Sequence, residues 1–129
     1  MPSNIQIFGF HDCQETRKAL RFFAERRIAV HFVDLSERAA SKGELKRFAD
    51  RLGPAAVVDK GGATYKAMGL RVALDSPQRL LERALAEPRL LRTPLVRNGG
   101  KVTVGHTPDE WLAWVEADKK PPSAGAKPA

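Results

Sequence analysis

The sequence predicts an α/β domain built around a four-stranded mixed sheet, and three observations support this. Residues 5–33 have the pattern strand, helix, strand, and residues 95–117 have the pattern of a β-hairpin followed by a helix. The segment between them, about 36–88, carries helical periodicity and helix-capping signals. The expected order is therefore β-α-β, a helical insertion, then β-hairpin-α.

The first unit contains two short apolar strands on either side of an amphipathic helix. We predict strands over residues 5–10 and 28–33, with a helix over 14–27 between them. A connection of this kind places the two strands parallel, with a right-handed crossover. The apolar residues of the helix recur at helical spacing, and they are Ala19, Leu20, Phe23 and Ala24.

The insertion is expected to contain three helices and a single turn near residues 55–58. Each helix has a recognisable start and stop, because polar caps and proline favour helix beginnings while glycine and proline favour endings. The signals run from Ser41 with Glu44 to Gly53-Pro54, from Ala63 to Gly69, and from Ser76-Pro77 to Pro88.

The C-terminal part is typical of a hairpin and a helix. Asn98-Gly99 lies between two short β-type runs and favours a tight turn. Thr107 and Glu110 have the spacing of a capping box with proline at the first helical position. We expect one domain over residues 1–117 and a disordered tail over 118–129, where Pro, Ala, Gly and Lys dominate.

Cys13, the only cysteine of the chain, lies where the first strand should end and the helix should begin. A helix N-terminus carries partial positive charge and unpaired N–H groups, which favour the reactive thiolate. Asp12 and Glu15 have capping-box spacing, so we expect Asp12 as the N-cap and Cys13 as the first helical residue. The helix start, the Thr16 hydroxyl one turn on and the nearby Arg17 should lower the pKa of the thiol. A small buried apolar residue is the alternative interpretation of a lone cysteine.

Composition excludes several classes of protein. No run of about 18 apolar residues is present, so we expect no membrane span. Near the N-terminus, residues 8–10 run straight into His11-Asp12-Cys13 without a long apolar stretch, so we expect no secretory signal. A single cysteine cannot form an internal disulfide, which favours a reducing, cytoplasmic setting. The net charge of +7 suggests nucleic-acid binding as a function. However, no basic run has interleaved aromatic residues, so we expect no nucleic-acid partner. The three histidines lack metal-ligand spacing with Cys13, so no metal is expected.

Four segments resemble a known family. Without its insertion, the predicted element order is the thioredoxin-like arrangement. The chain resembles, over about residues 4–117, the arsenate-reductase-related family of the glutaredoxin/thioredoxin-like superfamily. The segments that carry the resemblance are Cys13–Arg17, Val57–Lys66, Leu90–Val96 and Val104–Glu110.

The resemblance implies a catalytic role for Cys13, as the nucleophile, and a cis peptide bond before Pro94. It implies no bound cofactor, with glutathione as co-substrate. Because the chain has no second cysteine to resolve an intermediate, glutathione or glutaredoxin is the expected partner. The residues that we assign to substrate binding are Thr16, Arg17, Lys60, Arg92, Thr93 and Pro94.

The chain departs from the family at positions that matter for arsenate. Arsenate reductases of this type hold their oxyanion with several arginines. The slot immediately before the proline holds Thr93 here, and another holds Asp59, or Lys60 if the register slips. Threonine and lysine cannot reproduce the bidentate fork of arginine, so we expect arsenate reduction to be poor or absent.

Three functions remain open on the sequence. The first is a thiol-dependent oxidoreductase that resembles arsenate reductase and uses Cys13 as nucleophile. The second is a non-catalytic redox-sensing or protein-binding regulator of the same fold, which implies a protein partner. The third, nucleic-acid binding, depends on charge alone and ranks last.

Overall fold

The computed structural model describes residues 5–73 and 75–119, which form four strands, six α-helices and two short 3-10 helices. The strands are β1 (Ile5–Gly9), β2 (His31–Asp34), β3 (Leu95–Asn98) and β4 (Lys101–Val104). The α-helices are α1 (Gln14–Glu25), α2 (Lys42–Leu52), α3 (Ala63–Ala67), α4 (Leu70–Ala73), α5 (Pro77–Ala86) and α6 (Pro108–Lys119). The 3-10 helices span Pro54–Val57 and Pro88–Leu90.

The four strands form one mixed sheet in the order β2-β1-β3-β4. β1 and β2 are parallel, whereas β3 runs antiparallel to both β1 and β4. This is the predicted four-stranded mixed sheet with the β-α-β and β-hairpin-α halves in place. The fold is thioredoxin-like, with the α2–α5 region inserted between the halves.

Both faces of the sheet are covered, because successive strand residues point to opposite sides. Ile7 belongs to the apolar cluster under α1 and α6, and the next residue, Phe8, belongs to the cluster under the insertion. The same alternation separates Val96 from Leu95 in β3. The insertion therefore covers one face of the sheet and shields its apolar residues from solvent.

The insertion is tied back to the sheet just before β3. Val58 and Leu91 form an antiparallel bridge, flanked by hydrogen bonds from Asp59 N to Leu90 O (2.8 Å) and from Arg92 N to Val57 O (2.8 Å). These bonds hold the segment after α2 against the segment that leads into β3. The middle of the insertion thus meets the segment that follows its last helix, close in sequence to the peptide bond that precedes Pro94.

Several local predictions are confirmed. Ser41 and Glu44 form the full capping box of α2, and the helix ends at Gly53, whose φ of 91° favours glycine. Ser76 caps α5 through its hydroxyl, as predicted. Gly69 follows α3 with a φ of 69°. In the described residues, no helix is both long and apolar enough to cross a membrane.

Other local predictions are wrong. β2 begins at His31 rather than residue 28, and Asn98 pairs with Lys101, so Gly99 and Gly100 form the hairpin turn. The helix α4 was not predicted from the sequence. The Thr107 hydroxyl is buried without a hydrogen-bond partner among the described residues, so the predicted capping box of α6 does not form. That helix runs to Lys119, and the rest of the predicted tail lies outside the described residues.

Candidate active site

Cys13 occupies the junction between β1 and α1. The N–H of Cys13 donates to the Phe10 carbonyl (3.0 Å) and closes a tight turn, and the Cys13 carbonyl accepts from Arg17 N (3.1 Å). Its backbone is extended, with φ −88° and ψ 121°, so Cys13 is itself the N-cap of α1. The prediction that Asp12 caps the helix is wrong, because the Asp12 carboxylate is bound elsewhere.

The sulfur lies against the loop that leads into β3. The hydroxyl of Thr93 donates to Cys13 Sγ at 3.1 Å, across 80 residues of sequence. The peptide bond between Thr93 and Pro94 is cis, as the family resemblance implied. The Pro94 carbonyl accepts from Gly105 N (2.9 Å), which anchors this loop to the end of β4. Thr93 therefore does meet Cys13, and Pro94 follows it in the same anchored loop.

Opposing effects act on the pKa of the Cys13 thiol, and the net result is a pKa below its ordinary value. Partial burial raises the pKa, since it disfavours the charged form. The hydroxyls of Thr16 and Thr93 and the backbone N–H groups of Thr16 and Glu15 lower it, and together they outweigh burial. The direction predicted from the helix start holds, but Arg17 is not among the main causes.

Thr16 lies beneath the sulfur in the first turn of α1. Its side chain is completely buried, and in the part of the chain that the structure describes its hydroxyl has no partner other than the Cys13 sulfur, whose charged form it favours. A Cβ on Gly9 would come within 2.4 Å of Thr16 Oγ1. Glycine at the end of β1 therefore lets the Thr16 hydroxyl sit close to the sheet, where it can donate to a thiolate.

Arg89 belongs to this site, although the sequence analysis did not identify it. Arg89 Nη1 donates to Asp12 Oδ1 at 2.9 Å, and its guanidinium carbon lies 3.8 Å from the centre of the Phe10 ring. The bond to Asp12 is the main cause that raises the pKa of Arg89, and the negative charge of Cys13 contributes in the same direction. The contact joins segments 77 residues apart. No local spacing in the sequence could have predicted it.

The other three predicted binding residues are not brought to the sulfur by any described contact. Arg17 Nη1 donates to the His11 carbonyl (2.8 Å). The Arg92 guanidinium lies over Gly105, about 3.3 Å from where a Cβ would stand. Lys60 is exposed and makes no hydrogen bond or ion pair with the described residues. Arg17 and Arg92 nevertheless border the two loops that hold Cys13 and Pro94.

Where the family resemblance places an arginine, this chain has Lys60 if the register slips by one residue, and otherwise Asp59. Its N–H donates to Leu90, and its carboxylate lies against the turn at Gly62, where a Cβ would come within 2.8 Å of Oδ2. The side chain is thus directed to the start of α3. Asp59 itself therefore supplies no cation to the site.

The histidines do not form a metal centre with Cys13. His11 is 69% exposed, faces Asp34 at 3.7 Å and contacts the Phe32 ring. His31 lies beside Gln6, and His106 contacts Trp111. Among residues 5–73 and 75–119, no group of three or more His, Cys, Asp or Glu side chains could hold a metal ion.

The fold and the site together define a thioredoxin-like domain with one cysteine at a helix start beside a cis-proline. The model of the ArsC family matches residues 8–114, so the chain belongs to the ArsC family. An arsenate reductase of Neisseria meningitidis is 34% identical over 108 residues, covering 78% of this chain and 89% of the relative. The uncharacterized protein YusI of Bacillus subtilis is 26% identical over 112 residues, covering 84% of this chain and 95% of YusI.

Solved structures show the same fold. An arsenate reductase from Vibrio cholerae superposes with a TM-score of 0.76 at 24% identity, covering 88% of this chain and 98% of that chain. An ArsC family related protein from Bacteroides fragilis superposes with a TM-score of 0.77 at 20% identity, with the same two coverages. The fold class predicted from the sequence is therefore confirmed.

Proposed function

We propose that this ArsC-family protein is a thiol-dependent oxidoreductase in which Cys13 is the nucleophile and glutathione, directly or through glutaredoxin, is the reductant. The observation that carries the proposal is the 3.1 Å contact of the Thr93 hydroxyl with Cys13 Sγ beside a cis-proline. Two hydroxyls and two backbone N–H groups favour the thiolate. Thiolate character is what disulfide exchange requires.

The reaction proceeds as two balanced exchanges at one sulfur. The Cys13 thiolate attacks the glutathione sulfur of a mixed disulfide R–S–S–G, the S–S bond breaks, and RS⁻ leaves and takes a proton from water. A second glutathione thiolate then attacks the glutathione sulfur bound to Cys13. This releases glutathione disulfide and restores the Cys13 thiolate. The substrate sulfur is reduced to a thiol, the sulfur of the incoming glutathione is oxidised to the same extent, and the glutathione sulfur of the mixed disulfide stays at the disulfide level.

An outside thiol is needed because Cys13 has no second cysteine in the chain to resolve the intermediate. The backbone of Thr93 lies at the sulfur and can pair with an extended thiol peptide. The test is glutathione-coupled reduction of a small mixed disulfide, with Cys13→Ser as the inactive control. An absence of turnover by the native protein, both with and without added glutaredoxin, would contradict the catalytic proposal.

Arsenate is a poorer candidate substrate, although the Neisseria relative is named arsenate reductase. Thr93 and Asp59 fill the two slots where the family resemblance places arginine, and the Asp59 carboxylate lies at the start of α3. A charge-assisted hydrogen bond contributes about 1.5–3 kcal/mol, so losing two should weaken oxyanion binding by roughly some hundreds-fold or more.

Arsenate turnover with glutathione and glutaredoxin tests this directly. We expect little or none for the native protein and a gain in the Thr93→Arg, Asp59→Arg double variant. Robust native turnover would show that Arg89, Arg92 or Lys60 supplies the missing charge, and our interpretation of the two slots would be wrong.

A regulator of the same fold is the second candidate function. The absence of arginine from the two family slots favours this function. It removes two ligands for an oxyanion but leaves Cys13 in an environment that favours the thiolate. The two candidates differ in one result. A regulator would have a reactive Cys13 in alkylation experiments but no turnover with any disulfide.

A further inference from the structure

Arg89 is placed on the turn that carries Cys13. The guanidinium stacks on the Phe10 ring at 3.8 Å, and the same turn is closed by the 3.0 Å bond from Cys13 N to Phe10 O. Asp12, the residue before the cysteine, accepts from Arg89 Nη1 at 2.9 Å. Phe10 is only 4% exposed, so its ring is a rigid platform for the cation.

The pair of Arg89 with Asp12 is open to exchange with a ligand. The side chains are 46% and 67% exposed, and ion pairs this exposed contribute little to stability. Asp12 engages one nitrogen of the guanidinium, which carries five N–H donors in all. In the described residues no other acceptor bonds to this half-exposed side chain, so its remaining donors are free to bind a ligand near the Cys13 turn.

The other polar groups around Cys13 are engaged elsewhere. The Thr16 hydroxyl is completely buried and favours the Cys13 thiolate itself. Arg17 and Arg92, the other arginines at the rim, are directed to the His11 carbonyl and over Gly105. Arg89 is therefore the cation best placed to meet a negative charge carried next to the reacting sulfur.

We propose that Arg89 selects anionic substrates for Cys13, by receiving the carboxylate of a peptide-like disulfide in place of Asp12 while the thiolate attacks the neighbouring sulfur. This inference rests on the proposed function and deepens it, since it names carboxylate-bearing disulfides such as those of glutathione as the substrate class. Uncharged disulfides of the same size should react more slowly.

Alkylation with two reagents of different charge tests the proposal without any turnover. Iodoacetate and iodoacetamide both transfer a two-carbon group to the Cys13 thiolate and release iodide, but only iodoacetate carries a carboxylate. The ratio of the two rates cancels any change in thiolate fraction. We expect Arg89→Gln to lower the iodoacetate-to-iodoacetamide ratio about three- to tenfold at low salt, with the effect shrinking in high salt.

A matched control is available at the other end of α1. The Arg26 guanidinium carbon stacks on Phe22 at the same 3.8 Å, so Arg26→Gln removes an equal charge from an equivalent stack far from the sulfur. We expect this variant to leave the ratio unchanged. Asp12→Asn removes the competing carboxylate and should raise the iodoacetate-to-iodoacetamide ratio. Arg89→Lys preserves the positive charge and should keep most of the native ratio.

The outcomes separate this inference from the proposed function. An unchanged ratio in Arg89→Gln, or an equal fall in both rates, would overturn the role of Arg89 even if the native protein reduces disulfides. A lowered ratio supports the role of Arg89 even if turnover is absent. Stoichiometric reaction with glutathione disulfide and with uncharged 2-hydroxyethyl disulfide extends the test, and an unchanged ratio there would overturn the assigned substrate class.

Discussion

The two faces of the sheet are covered by different kinds of structure. On one face, the two longest helices, α1 and α6, pack an aromatic cluster in which Phe22, Phe23 and Trp111 have ring centres 5.0–5.7 Å apart. On the other face, the insertion covers the strands with short helices and turns. The first face is built from elements next to the strands in sequence, and the second from a separate segment.

Cys13 connects the two faces. It begins α1, which covers the aromatic face, but its side chain packs against the cluster under the insertion. Leu90 and Leu91 belong to that cluster, and they precede Thr93, which contacts the sulfur. The comparison shows that the aromatic face should govern overall stability, whereas the insertion face should also govern the reactivity of the thiol.

The largest effect is expected at the centre of the aromatic face. Trp111 is fully buried, and its Nε1 donates to Thr103 Oγ1 at 2.9 Å. Trp111→Ala should lower the free energy of unfolding by about 3–5 kcal/mol, because it leaves a large cavity and an unpaired hydroxyl. Denaturant unfolding measures this, and the alkylation rate of Cys13 in the folded variant should remain native. A loss below about 1 kcal/mol would contradict the comparison.

The insertion face should respond differently. Leu91 is 4% exposed and bridges Val58 two residues before Thr93. Leu91→Ala should cost about 2–4 kcal/mol of stability, and it should also change the alkylation rate of Cys13 at neutral pH. If the alkylation rate stays native while the stability falls, the insertion stabilises the fold but does not influence the reactivity of Cys13.

The sequence predicted the sheet and most helices because their signals are local. The signals of the short apolar run in β1, the Ser41–Glu44 capping box and Gly53 each depend on residues within one turn or strand. The errors occur where a distant group decides the outcome. Asp12 was expected to cap α1 on its spacing to Glu15, but the fold supplies Arg89, which binds the carboxylate instead.

The candidate site was predictable in part for the same reason. Cys13 and the cis peptide bond at Pro94 could be predicted from a helix-start pattern and a family resemblance. The Thr93 contact follows once these two are neighbours in the fold. Arg89 could not be predicted from the sequence. The 3-10 helix after α5 brings it to the Cys13 loop, where it bonds to Asp12, a residue 77 positions away in the sequence.

A smaller effect is expected at the hydroxyl that bridges the sulfur to the cis-proline loop. Thr93→Val removes a donor to Cys13 Sγ and should raise the pKa of the thiol toward its ordinary value. The alkylation rate at neutral pH should fall about tenfold, since a hydrogen bond to a charged group contributes about 1.5 kcal/mol or more. Thr93→Ser retains the hydroxyl and should stay near native. Equal rates in Val and Ser variants would show that this hydroxyl does not stabilise the thiolate.

The smallest effect is expected on the surface of the insertion, at Glu44. Its carboxylate accepts from both terminal nitrogens of Arg38 at 3.0 Å and from Ser41 N at 2.9 Å. The Arg38 hydrogen bonds are the main cause that lowers the pKa of Glu44 from 4.5 to about 2. Because the folded-state pKa lies below the unfolded one, the stabilisation is fully present above pH 4.5 and is lost as the pH falls toward 2.

Glu44→Gln should therefore cost about 1 kcal/mol at pH 7 and almost nothing near pH 2, because the half-exposed Arg38 is screened by water. Asp50→Asn is the matched control on the same helix, since Asp50 pairs with Lys46 at 2.8 Å and both side chains are more than 60% exposed. That control should cost at most about 0.5 kcal/mol at any pH. Urea unfolding of the three proteins between pH 2 and 7 gives the comparison. A cost for Glu44→Gln that does not shrink on acidification would show that the charge of Glu44 is not the source of its contribution, since glutamine keeps the capping-box acceptor.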